Sequence, residues 1–295
     1  MSFALGIDLG GSSVKAVAVT PEGKLLDQAN VPFDADERFD WARKIASLVE
    51  DLEQRRGGRA QGIGLSAPGL AARDGLSIAR MPGRLQGLEG LNWAEFLRPV
   101  QGTVPVLNDG HAALLGEAWQ GAARGFQNVI MLTLGTGVGG AAIVDGRLLR
   151  GALGRAGHFG HICLDPNGER DVCRMPGSIE ALIGNYNIES RSNGHFKTTH
   201  ELVAAFQKGN ALAAETWMKS LRALGCAVSS LVNVLDPEAV IIGGGIARSG
   251  PALFEPLEKY VRDSEWDVGA PVKILPAQLG DLAGAYGAAF SACHQ

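Results

Sequence analysis

The chain opens on a short apolar run at residues 3–9, and after Gly10-Gly11-Ser12-Ser13 a second run spans Val14 to Val19. Turn chemistry at Pro21-Glu22-Gly23-Lys24 separates it from a third strand candidate, Leu25 to Phe33. Three strands on short turns predict an antiparallel meander. Over residues 37–55 the period becomes helical, with Phe39, Ile45, Leu48, Val49 and Leu52 on one face and Gly57-Gly58 as the stop. Gln61 to Ser66 reads as a strand entering Ala67-Pro68-Gly69. Val104 to Leu107 reads as a short strand ending at Asn108-Asp109, and Ala112 to Trp119 as a helix.

The opening pattern then returns. Val129 to Leu134 is a strand, Gly135-Thr136-Gly137-Val138-Gly139-Gly140 a glycine turn, and Ala141 to Val144 a strand closed by Asp145-Gly146-Arg147. Laid on the first hairpin, Asp8 falls on Thr133, Leu9 on Leu134 and Gly10 on Gly135. Two copies of one supersecondary unit imply two similar α/β halves. Residues 199–235 are mostly helical, and 185–198 read as a flexible loop. Ala239 to Ile242 is a buried strand running into Gly243-Gly244-Gly245. A helix from Pro251 to Tyr260, a strand at Val272 to Ile274 and a small-residue helix from Gly280 to Ala292 complete the chain.

With 295 residues the chain is long enough for two medium domains, and 46% hydrophobic with 20% charged residues is ordinary for a globular enzyme. The net charge of −4, with no basic block, speaks against a nucleic-acid partner. The four cysteines form no CxxC pair, so a disulfide framework is not expected. No apolar run reaches the length of a membrane span, and the start shows no targeting pattern, so the expected location is cytoplasmic.

The first hairpin carries the first candidate chemistry. Glycines after Asp8 let the backbone approach a bound group and aim its N–H groups outward. Ser12, Ser13 and Lys15 add donors and positive charge, and Asp8 is placed to hold Mg²⁺ through water. The set suits a polyphosphate; an ordinary bulged hairpin reads the same way on this segment alone. The Walker A spacing is absent. The echo at Gly135–Gly140 suggests two turns clamping one phosphate chain, and Gly243-Gly244-Gly245 is a third glycine turn suited to a base or ribose. Asp109 serves either as a catalytic carboxylate or as the N-cap of the helix behind it; spacing does not separate the two.

The segments IDLGGSSVKAVAV, GIGLSAPGL, VLNDGHAALLGEAW, NVIMLTLGTGVGGAAIVDGRLLRG, GRAGHFGH, PGSIE and VIIGGGIA, in this order, resemble the ROK sugar kinases (repressor, open reading frame, kinase) of the actin-like/hexokinase ATPase superfamily. The resemblance covers nearly the whole chain. It implies two ribonuclease-H-like α/β domains with an interdomain cleft: a smaller one of about 1–110 joined by the C-terminal helix 281–295, and a larger one of 111–280. It implies ATP- and Mg²⁺-dependent transfer of a phosphoryl group to a sugar hydroxyl, with Asp109 as the base. It also implies sugar contacts at Asn108, His158, His161 and Glu180. Nucleotide and phosphate contacts fall on Asp8, Gly10, Gly11, Ser12, Ser13, Lys15, Thr136, Gly137, Gly244 and Gly245, with Asp8 near the metal. A homodimer is implied. The family also holds repressors, but those carry a helix-turn-helix ahead of the first hairpin, and Asp8 lies too close to the start for one.

Four departures stand out. The family's AGExGH is Ala156-Gly157-His158-Phe159-Gly160-His161 here, so an imidazole replaces a carboxylate that accepts from sugar hydroxyls. The family's zinc motif CxCGxxGC has Asp171 and Ser178 at two of its cysteine positions. One thiolate, Cys173, remains; with His161 and Asp171 it makes three ligands, short of the four a structural zinc wants, and none is expected. His161 is then available to the sugar. His111 stands where Asn is frequent, and Gly83 where an Asn contacts the sugar. The expected acceptor is a hexose phosphorylated at its 6-hydroxyl, with a preference moved away from plain glucose by His158.

Overall fold

The computed structural model describes residues 2–81, 85–266 and 269–294. The strands are β1 (Ala4–Leu9), β2 (Ser13–Val19), β3 (Leu25–Pro32), β4 (Gly62–Ala67), β5 (Leu70–Ala71), β6 (Ile78–Arg80), β7 (Val106–Asn108), β8 (Val129–Leu134), β9 (Val138–Val144), β10 (Arg147–Leu148), β11 (Ala239–Gly243) and β12 (Lys273–Pro276). The helices are α1 (Asp40–Arg56), α2 (Trp93–Leu97), α3 (Asp109–Gln120), α4 (Ile179–Ile183), α5 (Ile188–Arg191), α6 (Thr199–Gln207), α7 (Ala211–Leu235), α8 (Pro251–Ser264) and α9 (Ala283–Cys293). No helix among the described residues is long and apolar enough to cross a membrane.

Contacts divide the chain into two compact units. The first comprises residues 1–125, 148–156 and 278–295; the second comprises 126–147 and 157–277. The resemblance implies a division near residue 110; by contacts the first unit runs on through α3, which packs along α9.

The first unit is built on a sheet of order β3-β2-β1-β4-β7. β2 runs antiparallel to β1 and β3, while β4 and β7 run parallel to β1 and β4. The two-residue period of β2 sets its two faces. Val14, Ala16 and Ala18 join the core that α1 covers with Ile45, Leu48, Val49 and Leu52. Val17 and Val19 join the opposite cluster with Ala285, Tyr286 and Ala289 of α9. The small residues of α9 have a steric cause. A Cβ on Gly6 would lie 1.9 Å from the Ala285 carbonyl oxygen, and one on Gly64 2.0 Å from that of Ala288. On the other side of α9, a Cβ on Gly287 would lie 1.8 Å from the Ala112 carbonyl oxygen of α3. Sheet, α9 and α3 thus approach backbone to backbone.

The second unit repeats the plan with order β10-β9-β8-β11-β12; β9 is antiparallel to β8, and β11 and β12 continue in parallel. The hairpins pair alike, but the second turn is one residue shorter. Asp8 pairs with Lys15 and Leu9 with Val14, while Thr133 pairs with Gly139 and Leu134 with Val138. Helix α7 buries Trp217, Leu221, Leu224 and Val228. The fold is therefore the expected α/β architecture of two ribonuclease-H-like sheets.

Some local readings differ. Phe39 does not lie on the α1 face: it precedes the helix with φ +60° and is 37% exposed, its place in the core taken by Trp41. β9 begins at Val138, so Gly139 and Gly140 are strand residues and the turn is only Gly135-Thr136-Gly137. The segment expected to be a loop at 185–198 holds a 3-10 turn, Asn185–Asn187, and α5. Thr198 caps α6 by accepting from Glu201 N–H.

Candidate active site

In the first unit the strand ends carry the candidate groups. Asp8 closes β1 one residue before the glycines. Its Oδ1 accepts from Ser66 Oγ–H of β4 at 2.6 Å, and Gly284 of α9 packs so closely that a Cβ there would stand 2.7 Å from the Asp8 carboxylate. Burial pushes the Asp8 carboxyl up to about 6; the Ser66 hydrogen bond works against this, the Asp109 charge adds to it, Lys15 opposes it and Asp281 adds again. A carboxylate whose proton affinity is raised by two other acids sits in a field that attracts cations. The hairpin beyond it closes with Gly10 N–H donating to the Ser13 carbonyl at 2.9 Å, and leaves Gly11 and Ser12 exposed. Lys15 pairs directly across from Asp8. The structure thus groups Asp8, Gly10, Gly11, Ser12, Ser13 and Lys15 at one sheet end.

β7 delivers Asn108 and Asp109. Asn108, 4% exposed, is the N-cap of α3: its Oδ1 accepts from Gly110 N–H at 3.0 Å and His111 N–H at 3.4 Å. Its Nδ2 donates to the Gly69 carbonyl and to Asp109 Oδ1, each at 2.9 Å. Asp109 Oδ1 also accepts from Gly110 N–H at 2.8 Å, and its side chain is exposed. The cap is therefore Asn108, which removes the capping explanation for Asp109 and shows Asn108 fixing the aspartate. His111 is buried and donates from Nε2 to the Ala156 carbonyl at 2.9 Å, a support for the 148–156 segment. Gly83 lies outside the described residues.

In the second unit Thr136 and Gly245 share a pocket of about 530 Å³, within the range of small-molecule sites. Its walls come from the start of α6 (Thr198, Thr199, His200, with Val203, Ala204 and Gln207) and from the 3-10 turn after β11 (Ile246, Arg248, Ser249). Gly244, at φ +85°, presses on Leu134: a Cβ would be 2.3 Å from its carbonyl oxygen. The apolar Val203, Ala204 and Ile246 beside polar groups suit a flat heterocycle. The α6 wall is absent from the sequence reading; its signal is the Thr198-Thr199 cap ahead of an amphipathic run.

Gly137 points elsewhere. A Cβ there would lie 2.2 Å from Glu180 Oε2, and that oxygen accepts from Val138 N–H at 2.9 Å. Glu180, 8% exposed, is thereby held beside the glycine turn. His158 precedes the 3-10 turn Phe159–His161. His161, Asp171 and Glu180 bring ligand-capable atoms within 4.8 Å of one another.

The residues do not fit the zinc that the family pattern implies. The Asp171 side chain is fully buried, and both its oxygens already accept. Oδ2 takes a hydrogen bond from His161 Nδ1 at 2.8 Å; Oδ1 takes those of Cys173 N–H at 2.8 Å and Met175 N–H at 2.9 Å. Burial alone would raise the Asp171 carboxyl, but hydrogen bonds from His161, Ser178 and Met175 outweigh it and hold it below the usual range. A carboxylate saturated by N–H and O–H donors is a poor member of a tetrahedral thiolate and imidazole set. Ser178, the other substituted position, caps α4 by accepting from Ala181 N–H.

The comparisons agree with this architecture. The ROK family profile matches residues 4–294. A glucokinase of Halalkalibacterium halodurans is 30% identical over 96% of this chain and 92% of its own. The crystal structure of a ROK hexokinase from Thermus thermophilus superposes with a TM-score of 0.83 at 32% identity, covering 98% of this chain and 97% of that one. A ROK glucokinase from Streptomyces griseus, in complex with glucose and AMPPNP, gives 0.82 at 26% identity over the whole of both chains. The duplicated sheets, the glycine turns and the profile match along almost the whole length place this chain in the ROK family.

Proposed function

We propose that this ATP-dependent sugar kinase phosphorylates the 6-hydroxyl of a hexose, with Asp109 as the catalytic base. The observation that supports the reading most is the Asp109 arrangement. Its carboxylate is exposed at the start of α3 and oriented by Asn108 Nδ2 and Gly110 N–H, while the capping duty rests on Asn108. A carboxylate so held accepts the proton of an attacking hydroxyl without a side-chain search. Phosphoryl transfer needs mainly positioning and charge neutralisation, so Asp109 is one part of the machinery.

Mg²⁺, when bound, neutralises the phosphate charge that develops during transfer. Asp8 would hold it through water, since Asp281 and Asp109 give that end of the sheet its negative field. The turn after β1, exposed at Gly11 and Ser12, with Ser13 and Lys15 beside it, presents backbone, hydroxyls and positive charge to the phosphate chain. The 530 Å³ pocket at Thr136 and Gly245 suits the nucleoside. Glu180, His161 and His158 are the sugar-recognising side chains of the second unit, and Asn108 that of the first. The similar glucokinases favour glucose or a close relative, and His158 favours an acceptor other than plain glucose, such as an N-acetylhexosamine or a ketose.

A coupled ADP-release assay with ATP, Mg²⁺ and some twenty monosaccharides identifies the acceptor, and Asp109→Asn tests the base. We expect turnover to fall by about 10²–10⁴ while sugar still binds by calorimetry. Substantial residual turnover sinks the assignment of Asp109. Absence of ADP release with every sugar turns the reading to a non-catalytic sugar sensor.

A further inference from the structure

Every hydrogen-bond direction around His161 is set by its partners. The nearest atom to Nδ1 is Asp171 Oδ2, at 2.8 Å. An ionised carboxylate only accepts, so Nδ1 carries the hydrogen, and a neutral ring then presents Nε2 as a lone pair. A second contact points the same way. Cys173 Sγ lies 3.4 Å from Nε2. Burial, with the charges of Asp171 and Glu180, raises the Cys173 thiol, which stays protonated and donates S–H to that lone pair. The ring is a quarter exposed and Cys173 itself is exposed, and S–H is a weak donor, so a ligand hydroxyl that donates to Nε2 takes the place of the thiol.

A metal-bound histidine has the opposite polarity. Whichever ring nitrogen takes the metal, the other carries N–H and donates. The family pattern places zinc on the histidine corresponding to His161 and an acceptor-only glutamate at the position of His158. This chain has neither.

We propose that Asp171 replaces zinc as the group that orients His161 and that it turns the outward ring nitrogen from a donor into an acceptor, so that His161 supplies the acceptor lost with the glutamate at position 158. The two departures are then one coupled change. Asp171 is a positioning residue: it acts through His161 and touches no substrate. Its carboxylate holds the loop 171–178 by the Cys173 and Met175 N–H groups as well, a task thiolates and a metal would otherwise perform. The link to a sugar hydroxyl rests on the kinase reading above; the tautomer and the metal-free pin do not.

The test is a long-range proton–nitrogen correlation spectrum of protein labelled with ¹⁵N-histidine, with the His161 signals identified by their loss in His161→Gln. In a pH series the neutral ring of the wild type is expected as the tautomer protonated at Nδ1, with no stoichiometric zinc by elemental analysis and no change of Tm on adding EDTA. The double variant Asp171→Cys/Ser178→Cys, which restores three thiols beside His161, is expected to bind one zinc and move the ring proton to the outward nitrogen. Should that variant fail to fold, Asp171→Ala is expected to leave the wild-type tautomer no longer dominant and to raise the sugar KM about tenfold, the worth of one hydrogen bond, with a smaller effect on kcat. A neutral ring protonated at Nε2 in the wild type overturns the proposal, as does stoichiometric zinc in the purified protein. If the tautomer is as expected but no sugar is phosphorylated, the kinase reading fails and the pin stands.

Discussion

The cost of keeping Asp8 ionised is open to direct measurement by Asp8→Asn. Its carboxyl is raised from 3.8 to about 6 in the folded chain, with burial the largest cause. At about 1.4 kcal/mol per tenfold change in proton affinity, this amounts to roughly 3 kcal/mol. The sign follows from proton counting. Below pH 3.8 the group is protonated folded and unfolded. Between 3.8 and 6 the unfolded chain releases the proton and the folded one keeps it, so stability falls as pH rises through that window and stays lower above it. The amide is neutral at every pH, and its oxygen still accepts from Ser66 Oγ–H. In urea unfolding, Asp8→Asn should exceed the wild type by about 1–3 kcal/mol at pH 8 and by under about 1 kcal/mol at pH 4. Turnover should be lost, the trade expected of a charge kept for function. Mg²⁺-nucleotide should raise the wild-type Tm more than that of the variant. An offset equal at both pH values, or a variant less stable at pH 8, would refute the reasoning.

Four further outcomes test other parts of the structure. Gly287→Ala places a Cβ 1.8 Å from the Ala112 carbonyl oxygen and should cost at least about 2 kcal/mol in urea unfolding, while Gly58→Ala, with nothing within 4 Å, stays within about 0.5. Gly137→Ala drives a methyl group into Glu180 Oε2; a sugar KM raised about tenfold with little change in Tm is expected, and an unchanged KM would detach Glu180 from the sugar. Ala204→Phe fills the pocket at Thr136 and Gly245, so the ATP KM should rise at least about tenfold with sugar binding intact by calorimetry. His158→Glu should move the ranking of sugars toward glucose, and an identical ranking across the panel would remove His158 from recognition.

The duplicated hairpins were legible because their signals are local. Glycine turns, a two-residue period and a helical stripe are written in neighbouring positions, and they fixed the repeated hairpins, the glycine turn after Asp8 and the order of elements. Asp109 was legible as a position but not as a role. Which of two adjacent polar residues caps α3 depends on the direction of each side chain, and the contacts gave the cap to Asn108. Phe39 left the α1 face for the same reason: a backbone at φ +60° is set by packing, not by period.

What the sequence by itself determined is the architecture and the residue types at the sheet ends. Only the tertiary structure decided how distant residues combine: Ser66 and Gly284 on Asp8, the α6 wall of the pocket beside Thr136, and Glu180 against Gly137. The loop at 171–178 shows the limit most clearly. From the sequence, two missing cysteines meant a lost zinc and a histidine released to the sugar. In the fold His161 is not released; Asp171 holds its ring by a 2.8 Å hydrogen bond. Local propensity acts between neighbours along the chain. A carboxylate's hydrogen-bond partners and burial are set by residues brought together from separate segments, and those contacts exist only once the chain has folded.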